Sequence, residues 1–579
     1  MLNSYYTVKK RLSIILVLAI FLFVVIFCRL GYIQVIWGED LQARAFDQWT
    51  RDLPLQALRG EIYDRNGVLL VTSENSYGVY VRNKNVKDAA LTAEILSSYL
   101  GVNYNTVYSK ITTKGVSEVT IKRQVDAATV KVLREYNLSG VYFATESTRS
   151  YVYGDFLTQV LGFVSVDNIG QTGLEAYYNK YLTGINGYVY TQSDLIGREL
   201  YDESMFYLPA VDGLDLVLTI DYAIQAAVEN IMEIAIKAHN PQNVKCIVLD
   251  VTNGQILAMA SKPSYNLNDI PRDNIELLME YSRNTLLTDV FEPGSTFKVL
   301  TAAASLEEAR QGNTKAFNSS YVFRNNSNVR YVDGGKISCW TKHINGKHQN
   351  QTLADALNNS CNPIFTDIAL SLGEKTMYKY LELFGYGSKT GIDYGGEQGG
   401  ILVSLDSVRQ GDLARIGFGQ SIAVTAIQLA MATAAAVNGG ILYRPYFVSE
   451  IIDGKTGITA LSFSPTAINR AISAETSKEL ALMLEGVVKN GSGKGAYIEG
   501  YRVGGKTGTA QKYGENGAVA VGKYVSSFIG FFPANEPKYL CLFIVDEPVG
   551  ASYGSVVAAP YAKMVFEQII NIYNIPPQG

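Results

Sequence analysis

The sequence predicts an α+β chain: an N-terminal transmembrane helix, then a mixed α/β segment, then a larger segment in which an antiparallel sheet is flanked by helices. Three observations predict it. An apolar run, Leu12 to Cys28, stands between Arg11 and Arg29 with only Ser13 polar. Two strand-like runs near the C-terminus, Tyr524 to Phe532 and Tyr539 to Asp546, are joined through Pro533-Ala-Asn-Glu-Pro537, while Ala- and Leu-rich stretches before them read as helices. At 579 residues and 47% hydrophobic, the chain also exceeds what one core usually holds, so at least two domains are expected.

The apolar run is read as a retained signal anchor spanning residues 12–36. Lys9, Lys10 and Arg11 precede it, so the excess of positive charge leaves residues 1–11 in the cytoplasm and exports the rest. Cleavage is disfavoured because no small-residue site follows and the apolar character continues through Leu30-Gly-Tyr-Ile-Gln-Val-Ile-Trp37. Bulky Phe27 argues against lipoprotein processing at Cys28. The net charge of -4 offers no basic surface for nucleic acid, and that class of partner is set aside.

Residues 37–210 carry mixed patterns. Alternation from Tyr77 to Val81 and the turn Asp64-Arg-Asn-Gly67 suit short strands. Residues 211–579 hold the polar motifs, and the amphipathic run Tyr561 to Tyr573 precedes the end at Gly579, so no appended C-terminal module is expected.

Three of those motifs carry chemistry. In Ser295-Thr-Phe-Lys298, after Glu292-Pro293-Gly294, the Ser and Lys fall three apart at the start of a helix expected to run to Arg310, which puts both on one face. A serine alone is a poor nucleophile. An amine shielded from water and near a second cation such as Lys506 loses its proton more easily and becomes a base for the Ser295 hydroxyl. The second motif, Ser360-Cys361-Asn362, lies in a loop between two expected helices; its hydroxyl is placed to relay a proton and its amide to hold a peptide. In the third, Val503-Gly-Gly-Lys506-Thr507-Gly508-Thr509-Ala510, a glycine-rich strand lets a ligand backbone approach and supplies cation and hydroxyls for a carboxylate. Taken singly, each also reads blandly, as a capping serine with a solvated lysine, a polar loop bonded to its own backbone and a glycine-rich turn.

Together and in this order, the motifs resemble the class B penicillin-binding proteins, the monofunctional peptidoglycan D,D-transpeptidases. Arg59-Gly-Glu-Ile-Tyr-Asp-Arg-Asn-Gly67, Leu218-Thr-Ile-Asp221, Gly254-Gln-Ile-Leu-Ala-Met-Ala-Ser261, Gly417-Phe-Gly-Gln420 and Val556-Val-Ala-Ala-Pro560 also look like marks of that family, in its order. The resemblance implies a pedestal of the dimerisation-domain type over 37–210 and a penicillin-binding transpeptidase domain over 211–579. It implies that Ser295 attacks the penultimate D-alanine of a stem peptide with Lys298 as base, that Ser360 and Lys506 pass protons, that Asn362 binds the peptide amide, and that Thr507, Gly508 and Thr509 receive the terminal carboxylate. The oxyanion hole would be the N–H groups of Ser295 and Thr509. β-Lactams are expected to acylate Ser295. No cofactor is expected.

The family further implies a partner. No segment resembles a glycosyltransferase, so polymerisation would fall to a multi-spanning enzyme of the shape, elongation, division and sporulation (SEDS) group. Rival functions remain: a D,D-carboxypeptidase, a serine β-lactamase, and a non-catalytic scaffold for a membrane glycosyltransferase.

Cys339 and Cys361 form a candidate redox pair, because Cys361 lies inside the second motif and exported thiols can pair. Buried unpaired thiols are the alternative. The pair leans the reading toward a sporulation- or division-type branch. Cys339, His343, His348 and Cys361 fall in one stretch, but their spacing matches no zinc-ribbon or finger pattern, and no metal is assigned.

Overall fold

The computed structural model describes residues 2–35, 37, 50–192, 206–344, 348–513 and 519–578. Parts of the expected pedestal, residues 38–49 and 193–205, and the expected terminus at Gly579 lie outside the described residues. The chain divides into two compact units, one of residues 1–58 and 184–212, the other of 59–183 and 213–579.

The first unit holds the helix Leu2–Val35 and a three-stranded antiparallel sheet of Thr50–Leu55, Gly187–Gln192 and Phe206–Leu208. Within the helix, Lys9–Gln34 is 26 residues long and apolar, with no burial inside the protein. At about 1.5 Å per residue it reaches roughly 39 Å, enough to cross a hydrocarbon core of about 30 Å. Arg29 lies over the rings of Tyr32 and Trp37, a cation–π arrangement suited to the edge of a membrane.

The second unit is built on two sheets. In the first, Leu69–Val81 pairs with Val141–Tyr151 from Val71↔Tyr151 to Val81↔Val141, and Ile62–Tyr63 runs parallel to Asp215–Leu218. The tight turn between Tyr63 and Leu69 follows from Asp64, whose carboxylate accepts from the N–H groups of Asn66 and Val68 at 2.8 and 2.7 Å. Below it, the Glu175 carboxylate is fully buried between Arg59 and Arg149, each at 2.6 Å. Two cations share one anion here, and burial pulls the Arg59 guanidinium down although Glu175 opposes it.

The second sheet is the expected antiparallel one. Its order is Ile256–Lys262, Asn243–Asp250, Tyr539–Asp546, Val519–Phe532 and Gly504–Tyr513. Successive side chains point to opposite faces and both faces are covered, so the middle strand, Tyr539–Asp546, is apolar and buried as far as Val545. Cys246, Val248, Cys541 and Phe543 share a core with helices Tyr222–His239 and Ala559–Ile572. Ile247, Leu249, Leu540 and Leu542 share the other with Ala426–Val437, a helix buried on every side and correspondingly apolar all round. The Asp221 carboxylate caps helix Tyr222–His239 at the N–H groups of Ala223 and Ile224 and also accepts from Tyr573 Oη. That gives Leu218-Thr-Ile-Asp221 a structural role.

Candidate active site

The edge strand Gly504–Tyr513, the turn carrying Ser295 and the start of helix Asn362–Leu372 meet at one place. The helix expected from Ser295 to Arg310 begins as a 3₁₀ turn, Gly294–Phe297, and becomes α-helical at Lys298–Arg310. The tighter turn still leaves Ser295 and Lys298 on one side, with Lys298 Nζ 3.0 Å from Ser295 Oγ.

Lys298 is completely buried, and its ammonium meets four oxygens. Besides Ser295 Oγ these are the Ser360 carbonyl at 2.8 Å, Ser360 Oγ at 3.1 Å and Asn362 Oδ1 at 2.6 Å. None of them is a carboxylate, so the loss of water is not fully repaid, and burial pushes Lys298 down to about 7 while the nearby Cys361 and Cys339 oppose the fall. Lys506, also fully buried, donates to Ser360 Oγ at 2.9 Å; burial first, and then the charge on Lys298, hold it well below the ordinary lysine range. The expected mutual effect of the two cations therefore falls on Lys506, whereas Lys298 is shifted by burial.

Ser360 adopts a left-handed backbone, φ 53°. A non-glycine residue there is strained, and the strain is held by helices Leu353–Asn358 and Asn362–Leu372 on either side, with Pro363 in the first turn of the second. Asn362 spends its oxygen on Lys298 and donates Nδ2–H to the Ser338 carbonyl at 3.1 Å.

On the edge strand, Thr507 Oγ1 donates to Ser492 Oγ at 3.2 Å, and Thr509 Oγ1 accepts from the Gly554 N–H at 3.1 Å. Gly508 explains why the strand is glycine-rich: a Cβ there would stand 2.4 Å from Ser527 Oγ and 3.1 Å from the Pro293 carbonyl. Gly419 does the same behind the Ser295 turn. It accepts the Gly294 N–H at 2.9 Å, has φ +85°, and a Cβ on it would come within 2.1 Å of the Gly294 carbonyl. Ser295, Lys298, Ser360, Asn362, Lys506, Thr507, Gly508 and Thr509 are thus gathered at one place. Ser492, Ser338 and Gly554 join them; spacing gave no sign of these, since each acts through a single hydroxyl or backbone group.

Beside Ser360, Cys339 and Cys361 are brought together as free thiols. A hydrogen bond from Cys361 pulls the Cys339 thiol down to about 4, and the same bond pushes Cys361 up. Trp340 Nε1 donates to the Asn359 carbonyl at 2.7 Å, which ties this segment to the Ser360 loop.

Comparison with known proteins bears on the family of the chain. Residues 244–570 match the penicillin binding protein transpeptidase domain and residues 54–218 the penicillin-binding protein dimerisation domain. The chain is 39% identical to stage V sporulation protein D of Bacillus subtilis over 575 residues, covering 99% of this chain and 87% of that protein. It is 27% identical to the peptidoglycan D,D-transpeptidase FtsI of Escherichia coli over 559 residues, covering 95% and 90%. Penicillin binding protein 2X from Streptococcus thermophilus superimposes with a TM-score of 0.71 at 25% identity, over 90% of this chain and 80% of that one. With both domains matched in order and one relative similar along almost its whole length, the chain belongs to the class B penicillin-binding proteins.

Proposed function

We propose that this chain is a serine D,D-transpeptidase that cross-links peptidoglycan stem peptides and is acylated by β-lactams. The observation that carries the reading is the buried Lys298 amine, 3.0 Å from Ser295 Oγ and held near neutrality. At neutral pH a large fraction of Lys298 is unprotonated and accepts the Ser295 proton as Oγ attacks the penultimate D-alanine carbonyl. The Ser295 and Thr509 N–H groups steady the oxyanion, and Lys506 and Ser360 return a proton to the departing D-alanine amine. An acceptor amine then reverses the sequence and forms the cross-link. Thr507 and Thr509 take the substrate carboxylate in this scheme, and Gly508 lets its backbone approach the strand.

The N-terminal helix anchors the chain with residues 1–11 in the cytoplasm, residues 37–210 serve as the pedestal, and 211–579 as the exported catalytic domain. The polymerising partner is of the SEDS type. Similarity to a stage V sporulation protein along 99% of the chain favours the sporulation branch.

The test is intact-protein mass spectrometry of the full chain in detergent after incubation with a penicillin, beside Ser295→Ala. One adduct, absent from the variant, is expected. No adduct on the parent chain would move the weight to the scaffold reading, and rapid loss of the adduct to water would favour a β-lactamase.

A further inference from the structure

Four side chains from one stretch of sequence, whose spacing matches no zinc-ribbon or finger pattern, converge beside the Ser360 motif. Cys339, His343 and His348 each offer one ligand atom, and these three atoms lie within 4.8 Å of one another. Cys361 Sγ lies 3.8 Å from His343 Nε2 and is close enough to Cys339 to share a hydrogen bond. In a tetrahedral zinc site with Zn–S near 2.3 Å and Zn–N near 2.0 Å, neighbouring ligand atoms stand about 3.3–3.8 Å apart. Three of the four atoms therefore lie within about an ångström of that spacing, and Cys361 Sγ stands at it from His343 Nε2.

The surroundings are those of ligands. His343 Nδ1 meets the Asn326 carbonyl at 3.0 Å; a carbonyl only accepts, so the proton sits on Nδ1 and the Nε2 lone pair faces the thiols. Asn326 Nδ2 donates to Cys361 Sγ at 3.3 Å, as an outer-shell partner of a thiolate does. The Asn326 amide is itself fixed by Arg330, 2.9 Å from its oxygen, and Arg330 is clamped by Asp367. His348 packs against His343 with ring centroids 5.4 Å apart and keeps a buried ring nitrogen, Nδ1, with no partner among the described residues. A buried polar atom left unpaired needs an explanation, and a cation supplies one.

We propose that Cys339, His343, His348 and Cys361 bind one thiophilic divalent cation of the zinc class. Two thiolates and two neutral imidazoles are the soft, tetrahedral donor set that favours zinc. Two negative sulfurs balance the ion, so the filled site adds no net charge to a buried place. The cation ties Cys339, His343 and His348 to Cys361, which stands between Ser360 and Asn362, and so braces that motif from outside it. The site does not depend on reactivity at Ser295.

The test uses the full chain in detergent, reduced, loaded with zinc chloride and freed of excess metal by gel filtration. Elemental analysis should find one zinc per chain. Replacement by cobalt should give thiolate-to-cobalt charge-transfer absorption. Cys339→Ser should lose both signals, and His348→Ala, on a half-buried loop where misfolding is a lesser risk, should weaken retention at least tenfold. Cys28→Ser should retain the metal. The proposal is overturned if the reduced chain holds no more zinc than Cys339→Ser, if the cobalt form lacks the charge-transfer band, or if the zinc-loaded sample yields a Cys339–Cys361 disulfide.

Discussion

Lys298 and Lys506 converge on a single oxygen: their Nζ atoms lie 3.1 and 2.9 Å from Ser360 Oγ. Two buried ammonium groups cannot both stay charged around one neutral hydroxyl, so at least one is held as a free amine. The Ser360 hydroxyl donates to a neutral amine and accepts from a charged one, which lets a proton pass between the lysines without either side chain moving.

This arrangement sets a pH profile. In the proposed mechanism Lys298 acts as base only when unprotonated, and burial lowers it from the ordinary lysine value of about 10.4 to about 7. Acylation of Ser295 by a fluorescent penicillin should therefore rise about tenfold per pH unit below 7 and level off above it. Lys298→Arg cannot supply a neutral base and should slow acylation by about 10²–10⁴ at every pH. A flat profile for the parent chain between about pH 5.5 and 8.5 would rule Lys298 out as the base.

Gly419→Ala should damage the turn that carries Ser295. Its Cβ would stand 2.1 Å from the Gly294 carbonyl and its φ is +85°, so left-handed strain of about 1–2 kcal/mol adds to overpacking of about 1–3 kcal/mol. Gly312→Ala has the same φ but open space around it, and should cost the strain alone. Thermal melting of both variants, with the acylation rate beside it, separates the two effects. If Gly312→Ala proved as harmful as Gly419→Ala, close approach would not be the cause.

Glu175→Gln should leave Arg59 and Arg149 buried with no anion between them. Breaking a buried pair from one side costs about 3–5 kcal/mol, and here one substitution strands two cations. Denaturant titration of the chain should show a loss of that size. A change under about 1 kcal/mol would mean that water enters and screens the guanidinium groups.

Much of the reactive centre was legible in the residues. Ser295 and Lys298 fall three apart, and either kind of helix puts them side by side, so mistaking a 3₁₀ turn for α-helix left the chemistry intact. Gly508 and Gly419 were visible as glycines, but the reason for each is an atom of another segment, the Ser527 hydroxyl or the Gly294 carbonyl, that no local pattern announces. Asp64 was seen as a turn residue because its partners are two and four positions away. Arg59 and Glu175 were not paired because 116 residues separate them. Cys339, His343, His348 and Cys361 stood in one stretch of the sequence, but their spacing matches no zinc-ribbon or finger pattern, so no metal was assigned to them. The hairpin Val329–Val332 with Gly335–Ser338 turns the chain back on helix Asn362–Leu372, and that fold-back, not spacing, makes them neighbours.

Strand Asp215–Leu218 lies between Val448–Ile452 on one side and Ile62–Tyr63 on the other. An expression fragment starting near residue 211 would strip away the second of these neighbours and leave a raw margin of unpaired N–H and C=O groups on the penicillin-reactive half. Such a fragment would recruit copies of itself along that margin. For a soluble form of this enzyme, Arg59 is the sounder starting point, because every strand of that sheet then keeps the neighbours it was folded with.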